Sequence, residues 1–320
     1  MSTRADTAPS GAAPGDASRG AARPDALRRV RGTSVRDALE GATTAIGAAG
    51  CETPRLDAEV LLAHVLGVGR ERLLLDRELI VAGPPVRAYQ DAVRRRAVLR
   101  EPVAYITGSR GFRRIELAVD ARALIPRPES ELLVEAALGL PAGARVLDVG
   151  TGSGAIALAL KQERPDLDVS ASDRSADALE LARANAARLG LDVNFVQADL
   201  LDGAPGEQDA VLANLPYVAE RDRAALAPEI LRHEPPGALF AGEDGLDAIR
   251  ALLEQLAARR SVSFVALEVG AGQAPAVAEL LRAAGFAKVE CMHDLAGMER
   301  VVKGESLPIE EPPREESAQR

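Results

Sequence analysis

From Ser34 onward, apolar residues recur at helical spacing as Val35, Leu39, Ala42 and Ile46. Ser34 is placed to cap that helix, and Asp37 falls in the first turn, where an acid favours the helix dipole. Thr53-Pro54 predicts a second start, an N-cap followed by proline at the first helical position, with Leu56, Val60, Leu62 and Leu66 as apolar positions and Gly67 as the stop. A shorter helical pattern covers Arg70 to Leu79, and another runs from about Pro85 through Tyr89, Val93 and Ala97 until Pro102. Residues 34–102 are therefore expected to be a small helical domain. Over residues 103–123 the period becomes two, with Ile115, Leu117 and Val119 alternating after the turn Gly108-Ser109-Arg110-Gly111, which predicts a β-hairpin linker.

Beyond Arg145, strand-like runs alternate with helical patterns. The strands are expected at Val146 to Val149, Val169 to Ser172, Phe195 to Ala198, Ala210 to Ala213 and Val262 to Glu268. Helices are expected around Ala155 to Lys161, Ala176 to Leu189, Leu246 to Ala258 and Ala274 to Ala284. Such alternation predicts an α/β domain, over 124–304, with a mostly parallel sheet covered on both faces. Lys288 to His293 and Arg300 to Lys303 are close enough for a hairpin, which gives the sheet an antiparallel edge strand. Residues 1–33 and 305–320 lack apolar periodicity and are expected to be disordered.

Composition narrows the function classes. Apolar residues make up 47 % of the 320 residues and aromatics only 2 %, so the core is built from Ala, Leu and Val. The formal charge is −9, and the charges of the two terminal stretches cancel, so the body is itself acidic. An acidic body argues against a broad nucleic-acid footprint. Cys51 and Cys291 are far apart and in no metal-ligand spacing, so neither a disulfide framework nor a metal site is expected. No apolar run approaches bilayer length, and the N-terminus lacks the apolar stretch of a secretory signal, which predicts a cytoplasmic protein with reduced thiols.

The candidate chemistry lies at predicted strand ends. The first strand runs through Asp148-Val149 into Gly150-Thr151-Gly152-Ser153-Gly154 and a helix, where glycines let the backbone turn tightly and approach a ligand. The third glycine falls two residues after the second, where a dinucleotide fingerprint needs three, so the loop suits a nucleoside with an amino-acid tail better than a pyrophosphate. Asp173, about 20 residues on, suits ribose hydroxyls. Asp199 ends the third strand, where its carboxylate suits an adenine amino group and the Leu200 N–H the ring. Each aspartate alone also reads as a helix cap. Asn214-Leu215-Pro216-Tyr217 ends the fourth strand beside the same crevice and reads either as a turn or as a site holding a planar NH2 group. Ahead of the sheet, Leu124-Ile125-Pro126-Arg127-Pro128-Glu129-Ser130-Glu131 brackets one cation with prolines, reading as a rigid helix start or as a wall of a binding site. Gln273 and the Asp244-Gly245 turn read as structural.

With these residues placed, the chain resembles the class I S-adenosylmethionine methyltransferases, and more narrowly the peptide chain release factor N5-glutamine methyltransferases of the PrmC/HemK type. The resemblance runs from about Ser34 to Gly304, through Glu101 to Gly108, Ile125 to Glu131, the glycine loop, Glu243 to Asp247 and Gly297-Met298-Glu299-Arg300. It implies a Rossmann-like methyltransferase sheet and S-adenosyl-L-methionine as methyl donor. The implied acceptor is the side-chain amide nitrogen of the glutamine in the Gly-Gly-Gln motif of bacterial release factors, docked with help from the helical domain. The expected catalytic residues are Asn214, Leu215, Pro216 and Tyr217; with Arg127 they also bind substrate. Gly150, Thr151, Gly152, Ser153, Gly154, Asp173, Asp199, Leu200 and Asn214 are expected to bind the cofactor, in a monomer needing no metal, membrane or nucleic acid. Family members usually carry Asn-Pro-Pro-Tyr where this chain has Leu215, which keeps the backbone carbonyl implied to accept from the substrate but loses the fixed φ. Asn-Leu-Pro-Tyr also resembles the motif of RNA adenine dimethyltransferases, which leaves an RNA adenine methyltransferase as the rival. A passive adenosyl-binding module and a nicotinamide oxidoreductase are opposed by the acceptor loop and the glycine spacing respectively.

Overall fold

The computed structural model describes residues 32–204, 206–259 and 261–306. Most of the two terminal stretches expected to be disordered lies outside the described residues. Thr33 and Glu305, which the sequence reading assigned to those stretches, sit in paired strands. The N-terminal part runs β1 (Thr33–Ser34), α1 (Val35–Ala48), α2 (Pro54–Leu66), α3 (Arg70–Leu75), β2 (Ile80–Val81), α4 (Pro84–Ala97) and α5 (Val103–Thr107).

Helix α1 forms as its pattern dictates. Ser34 Oγ accepts from Asp37 N at 3.0 Å, and Val35, Leu39, Ala42 and Ile46 are buried. In α2 the buried face differs from the expected one: Leu56 is 42 % exposed and Val60 half-buried, whereas Ala58, Leu61, Leu62 and Ala63 are buried together with Asp57 and Glu59. The reason is position, because α2 packs against α1, α3, α4 and α5 at once, which leaves the stripe through Leu56, Val60 and His64 toward solvent. Its buried acids are paired, Asp57 with Arg96 at 2.6 Å and Glu59 with Arg55 at 2.6 Å and Arg70 at 2.9 Å. Helix α3 stops at Leu75, not Leu79, because the following backbone turns at Arg77-Glu78 to cap α1: Val35 N and Arg36 N donate to the carbonyls of Leu79 and Arg77.

The linker also differs from expectation. Val103–Thr107 is helical, and Gly108, at φ +71°, ends that helix. The hairpin is β3 (Ser109–Phe112) and β4 (Ile115–Ala118), so its turn falls at Arg113-Arg114 and not at Gly108 to Gly111. Arg113 takes a left-handed φ of +48° there, held by its N–H on Glu131 Oε1 at 2.9 Å and its guanidinium on Glu163 Oε2 at 3.0 Å.

A 3-10 turn at Pro128–Ser130 leads into α6 (Glu131–Ala137), and the alternating part follows as β5 (Arg145–Val149), α7 (Ala155–Glu163), β6 (Asp168–Asp173), α8 (Ala176–Leu189), β7 (Asn194–Gln197), β8 (Ala210–Ala213), α9 (Pro228–His233), α10 (Asp247–Ala257), β9 (Phe264–Glu268), α11 (Ala274–Ala283), β10 (Lys288–His293) and β11 (Glu299–Glu305). The seven strands are ordered β10-β11-β9-β8-β5-β6-β7, with β9, β8, β5, β6 and β7 parallel. The closing hairpin forms the sheet edge. Its β11 runs against β9, and the outermost β10 turns back along β11. Side chains alternate across the sheet, so that Val146 and Leu212 join the core under α6 and α7 while Leu147 and Val211 join the core under α10 and α11. The strand order reverses between β5 and β8, which opens a crevice at their carboxyl ends.

A largely buried ion-pair chain joins the helical layer to α9. Arg96, held by Asp57, also meets Glu229 of α9 at 3.1 Å, and Arg100 meets the other oxygen of Glu229 at 2.5 Å. Glu229→Ala leaves two poorly solvated guanidiniums without this partner, and is expected to cost about 3 kcal/mol in urea unfolding. A loss below about 0.5 kcal/mol, typical of a surface substitution, would contradict this.

Candidate active site

The loop after β5 is built for close approach. Gly150 N and Thr151 N both donate to Ser172 O, at 2.8 and 2.9 Å, which folds the loop back over the end of β6. Gly150 (φ +73°) and Gly154 (φ +85°) take left-handed conformations, and a Cβ would meet Leu215 Cδ2 at 3.2 Å from the first and Leu158 Cδ1 at 2.9 Å from the second. A side chain at either position would push on the acceptor loop or on α7. Asn185 of α8 fixes the loop from beneath, donating to Ser153 O at 3.0 Å.

Asp173, at the end of β6, accepts from Gly152 N and from Ser175 N, both at 2.9 Å. The capping role belongs to its neighbour Ser175, whose Oγ accepts from Ala178 N at 3.2 Å. Two lone-pair directions of the Asp173 carboxylate thus remain for a ligand. Asp199 is exposed just past β7, and its backbone bridges to Asp202. Leu200 takes φ +55°, a conformation costing about 1–2 kcal/mol for a residue with a Cβ. Neither the Asp199 carboxylate nor the Leu200 N–H has a hydrogen-bond partner among the described residues.

Sequence reasoning passed over Asp148. Its carboxyl is buried beneath the glycine loop, where Oδ2 accepts from Thr151 Oγ1 at 2.6 Å and Ala157 N at 3.2 Å, and Oδ1 has no partner among the described residues. Burial pushes this carboxyl up to about 7, against the lowering effect of those two donors.

Asn214 and Glu268 follow directly on the paired residues Ala213 and Leu267, so two adjacent strand ends deliver an amide and a carboxylate to the same place. Asn214 Nδ2 donates to Ser130 Oγ at 2.9 Å, Ser130 Oγ donates to Glu268 Oε2 at 2.6 Å, and Tyr217 OH donates to Glu268 Oε1 at 3.2 Å. Burial of Glu268 raises its carboxyl to about 7, and burial pushes the Tyr217 phenol up as well. Asn214 Oδ1 and the Leu215 carbonyl accept no hydrogen bond among the described residues. Leu215 itself is 5 % exposed, its side chain in the core beside Gly150, and Pro216 is half-buried next to it. Gln273, read from sequence as structural, braces the loop by donating to the carbonyls of Tyr217 at 3.0 Å and Asp244 at 3.2 Å.

Arg127, expected on a substrate, is paired within the chain. Its Nη2 meets Glu234 Oε1 at 2.6 Å, while Glu234 Oε2 accepts from Ile125 N at 3.2 Å. The pairing ties the proline-bracketed loop, and with it Ser130, to the segment that follows Tyr217. Ser130 and Glu268 were missed from sequence although Ser130 lies in the singled-out segment; the signal available was a carboxylate ending the strand-like run that follows Asn214.

The sign of the pH dependence at Asp148 is fixed by its raised pKa. Between about pH 4 and about pH 7 the folded state holds a proton that the unfolded state releases, so stability falls as pH rises through that window. Asp148→Asn is expected to remove a decline of about 4 kcal/mol there, read by urea unfolding of the ligand-free protein. Equal pH slopes for the two proteins would contradict it.

With this geometry in place, comparison with known proteins is specific. The family model of the PrmC N-terminal domain matches residues 37–108, and that of the methyltransferase small domain matches residues 128–242. The chain is 45 % identical over 274 residues to the release factor glutamine methyltransferase of Deinococcus radiodurans, covering 84 % of this chain and 97 % of that one. It is 40 % identical over 282 residues to the protein of the same name from Mycolicibacterium smegmatis, again covering 84 % and 97 %. Among solved structures, the hMettl16 catalytic domain matches with a TM-score of 0.51 over 72 % of this chain and 86 % of that one; at 15 % identity this likeness shows the fold alone. The chain belongs to the release factor glutamine methyltransferase family.

Proposed function

We propose that this chain methylates the side-chain amide nitrogen of the Gly-Gly-Gln glutamine of a bacterial release factor, using S-adenosyl-L-methionine, as a cytoplasmic monomer acting on protein rather than nucleic acid. The observation that carries the acceptor chemistry is the pair of unfilled acceptors, Asn214 Oδ1 and the Leu215 carbonyl, beside a glycine loop. A primary amide has two N–H bonds to give and a lone pair delocalised into its carbonyl. Two adjacent acceptors hold both N–H bonds, aim the nitrogen and favour the positive charge that builds on it as the new bond forms. No strong base is required, and the surplus proton passes to solvent.

The partnerless groups fit the cofactor. The orphaned Oδ1 of Asp148, the open Leu200 N–H and the free carboxylate of Asp199 suit a ligand with a cationic amino-acid end and a nucleoside base, with Asp173 between them for ribose hydroxyls. S-adenosylmethionine, when bound, supplies a methyl group on a sulfonium, a good leaving group. Tyr217 is held by Glu268 and Gln273 so that its ring can wall the glutamine side chain from water. The RNA adenine reading loses weight against the formal charge of −9 and the match of the N-terminal family model.

Asn214→Ala is expected to lower kcat on the order of a hundredfold while cofactor Kd changes by less than about threefold. Parallel losses in binding and turnover would remove Asn214 from the acceptor role. Leu215→Pro keeps the carbonyl and breaks no backbone bond, so turnover should hold while lost packing costs about 1–2 kcal/mol of stability. The substrate itself is tested with methyl-labelled S-adenosylmethionine offered with release factor, its Gly-Gly-Gln Gln→Ala variant, or ribosomal RNA. Label should enter the intact release factor alone; label on RNA and none on release factor would overturn the proposal.

A further inference from the structure

Glu268 is 2 % exposed at the end of β9, and the chemistry above does not touch it. A buried carboxylate is costly, and a neutral residue of the same volume would fill the space without that cost. Its two oxygens are nevertheless divided between partners that both lead to the acceptor loop, Ser130 at 2.6 Å and Tyr217 at 3.2 Å. Ser130 is itself 3 % exposed and meets Asn214 Nδ2 at 2.9 Å.

Proton counting gives this chain of bonds a direction. An ionised carboxylate only accepts, a serine has one proton to give, and a primary amide has one donor end and one acceptor end. With the Ser130 proton given to Glu268, the Ser130 oxygen can only accept from Asn214. The NH2 of Asn214 then faces Ser130, and Oδ1 faces away. We propose that Glu268 is a positioning residue of the acceptor site, which through Ser130 fixes the amide orientation of Asn214 and through Tyr217 the ring next to it. The inference rests on the reading of Asn214 and Leu215 as acceptors of a glutamine amide. Protonated Glu268 becomes a donor at one oxygen and frees the Ser130 hydroxyl to donate to Asn214 Oδ1, which turns the acceptor end of the amide inward.

The groups around Glu268 place this switch in an accessible range. Burial raises its carboxyl to about 7; Ser130, Tyr217 and Arg300 hold it down, and Glu129 pushes it up. Arg300 is itself paired with Asp294 at 3.0 Å. Turnover should therefore fall as pH drops through about 7. Asp148 titrates in the same window but lies under the glycine loop, so saturating cofactor separates the two.

Glu268→Gln keeps the volume and places an NH2 group where an acceptor stood. In the full chain, kcat is measured from about pH 5.5 to about pH 9 at saturating S-adenosylmethionine and release factor, with cofactor Kd and Tm alongside. The expected result at pH 8 is a kcat lower by about tenfold or more, a Kd within about twofold, and loss of the acid limb near 7. Tm at pH 8 should not fall, because the raised carboxyl opposes folding above the unfolded value and glutamine removes that opposition. Ser130→Ala should reproduce the kcat loss, and Ser130→Thr, which restores the hydroxyl, should recover it. A Glu268→Gln enzyme with wild-type kcat and an intact acid limb, or one impaired only in KM or Tm, would overturn the inference. A wild-type chain that does not label release factor would overturn the functional reading along with it.

Discussion

The acceptor site depends on one buried carboxylate. Glu268 takes hydrogen bonds from Ser130 and Tyr217, and Ser130 takes one from Asn214, so a single acceptor-only group orders three side chains from two separate stretches of chain. The parallel pairing of β8 and β9 brings the amide and the carboxylate side by side, and the rigid segment before α6 supplies the serine between them. The same crevice is bounded by the glycine loop at the end of β5, whose backbone passes so close to Leu215 that a Cβ at Gly150 would sit 3.2 Å from its side chain. The glycine loop and the Asn214 loop thus both leave the sheet where the strand order reverses, and packing on both faces of the sheet keeps that edge of the crevice fixed.

The segment after Tyr217 has a second task. Glu229 pairs with Arg96 and Arg100 of the helical layer, His233 meets the Leu99 carbonyl at 2.9 Å, and Glu234 holds Arg127 and Ile125. One stretch, which follows Asn214–Tyr217 in the chain, therefore contacts both the helical layer and the loop carrying Ser130. This contiguity connects the part of the chain matched by the PrmC N-terminal family model to the site of chemistry.

How much of this was legible in the sequence varied with the physics of each element. Helix α1 has one solvent face and one core face, so its period named the buried residues correctly. Helix α2 is covered on most of its sides, and its buried Asp57 depends on Arg96, 39 residues away, which no local pattern reveals. The hairpin turn was misplaced because Gly108, a residue suited to turns, ends a helix, while Arg113 adopts the turn conformation under the hold of distant acids. Glycines and carboxylates at strand ends were readable because the α/β topology assigns ligands to those ends. Ser130 and Glu268 were not, since 138 residues separate them and each alone looks like an ordinary helix start or strand end. Arg127 showed the converse, a lone cation in a stiff loop whose buried partner Glu234 lies 107 residues away.

The central claim is geometric: the acceptor end of Asn214 is held outward, next to the Leu215 carbonyl, to receive both N–H bonds of a primary amide. The direct measurement is a crystal structure of the full chain with S-adenosylhomocysteine and a release factor presenting its Gly-Gly-Gln loop. The account predicts the glutamine amide nitrogen at about 3 Å from both Asn214 Oδ1 and the Leu215 carbonyl, with Asn214 Nδ2 still on Ser130. A glutamine amide that meets neither oxygen, or an Asn214 turned away from Ser130 on binding, would contradict it.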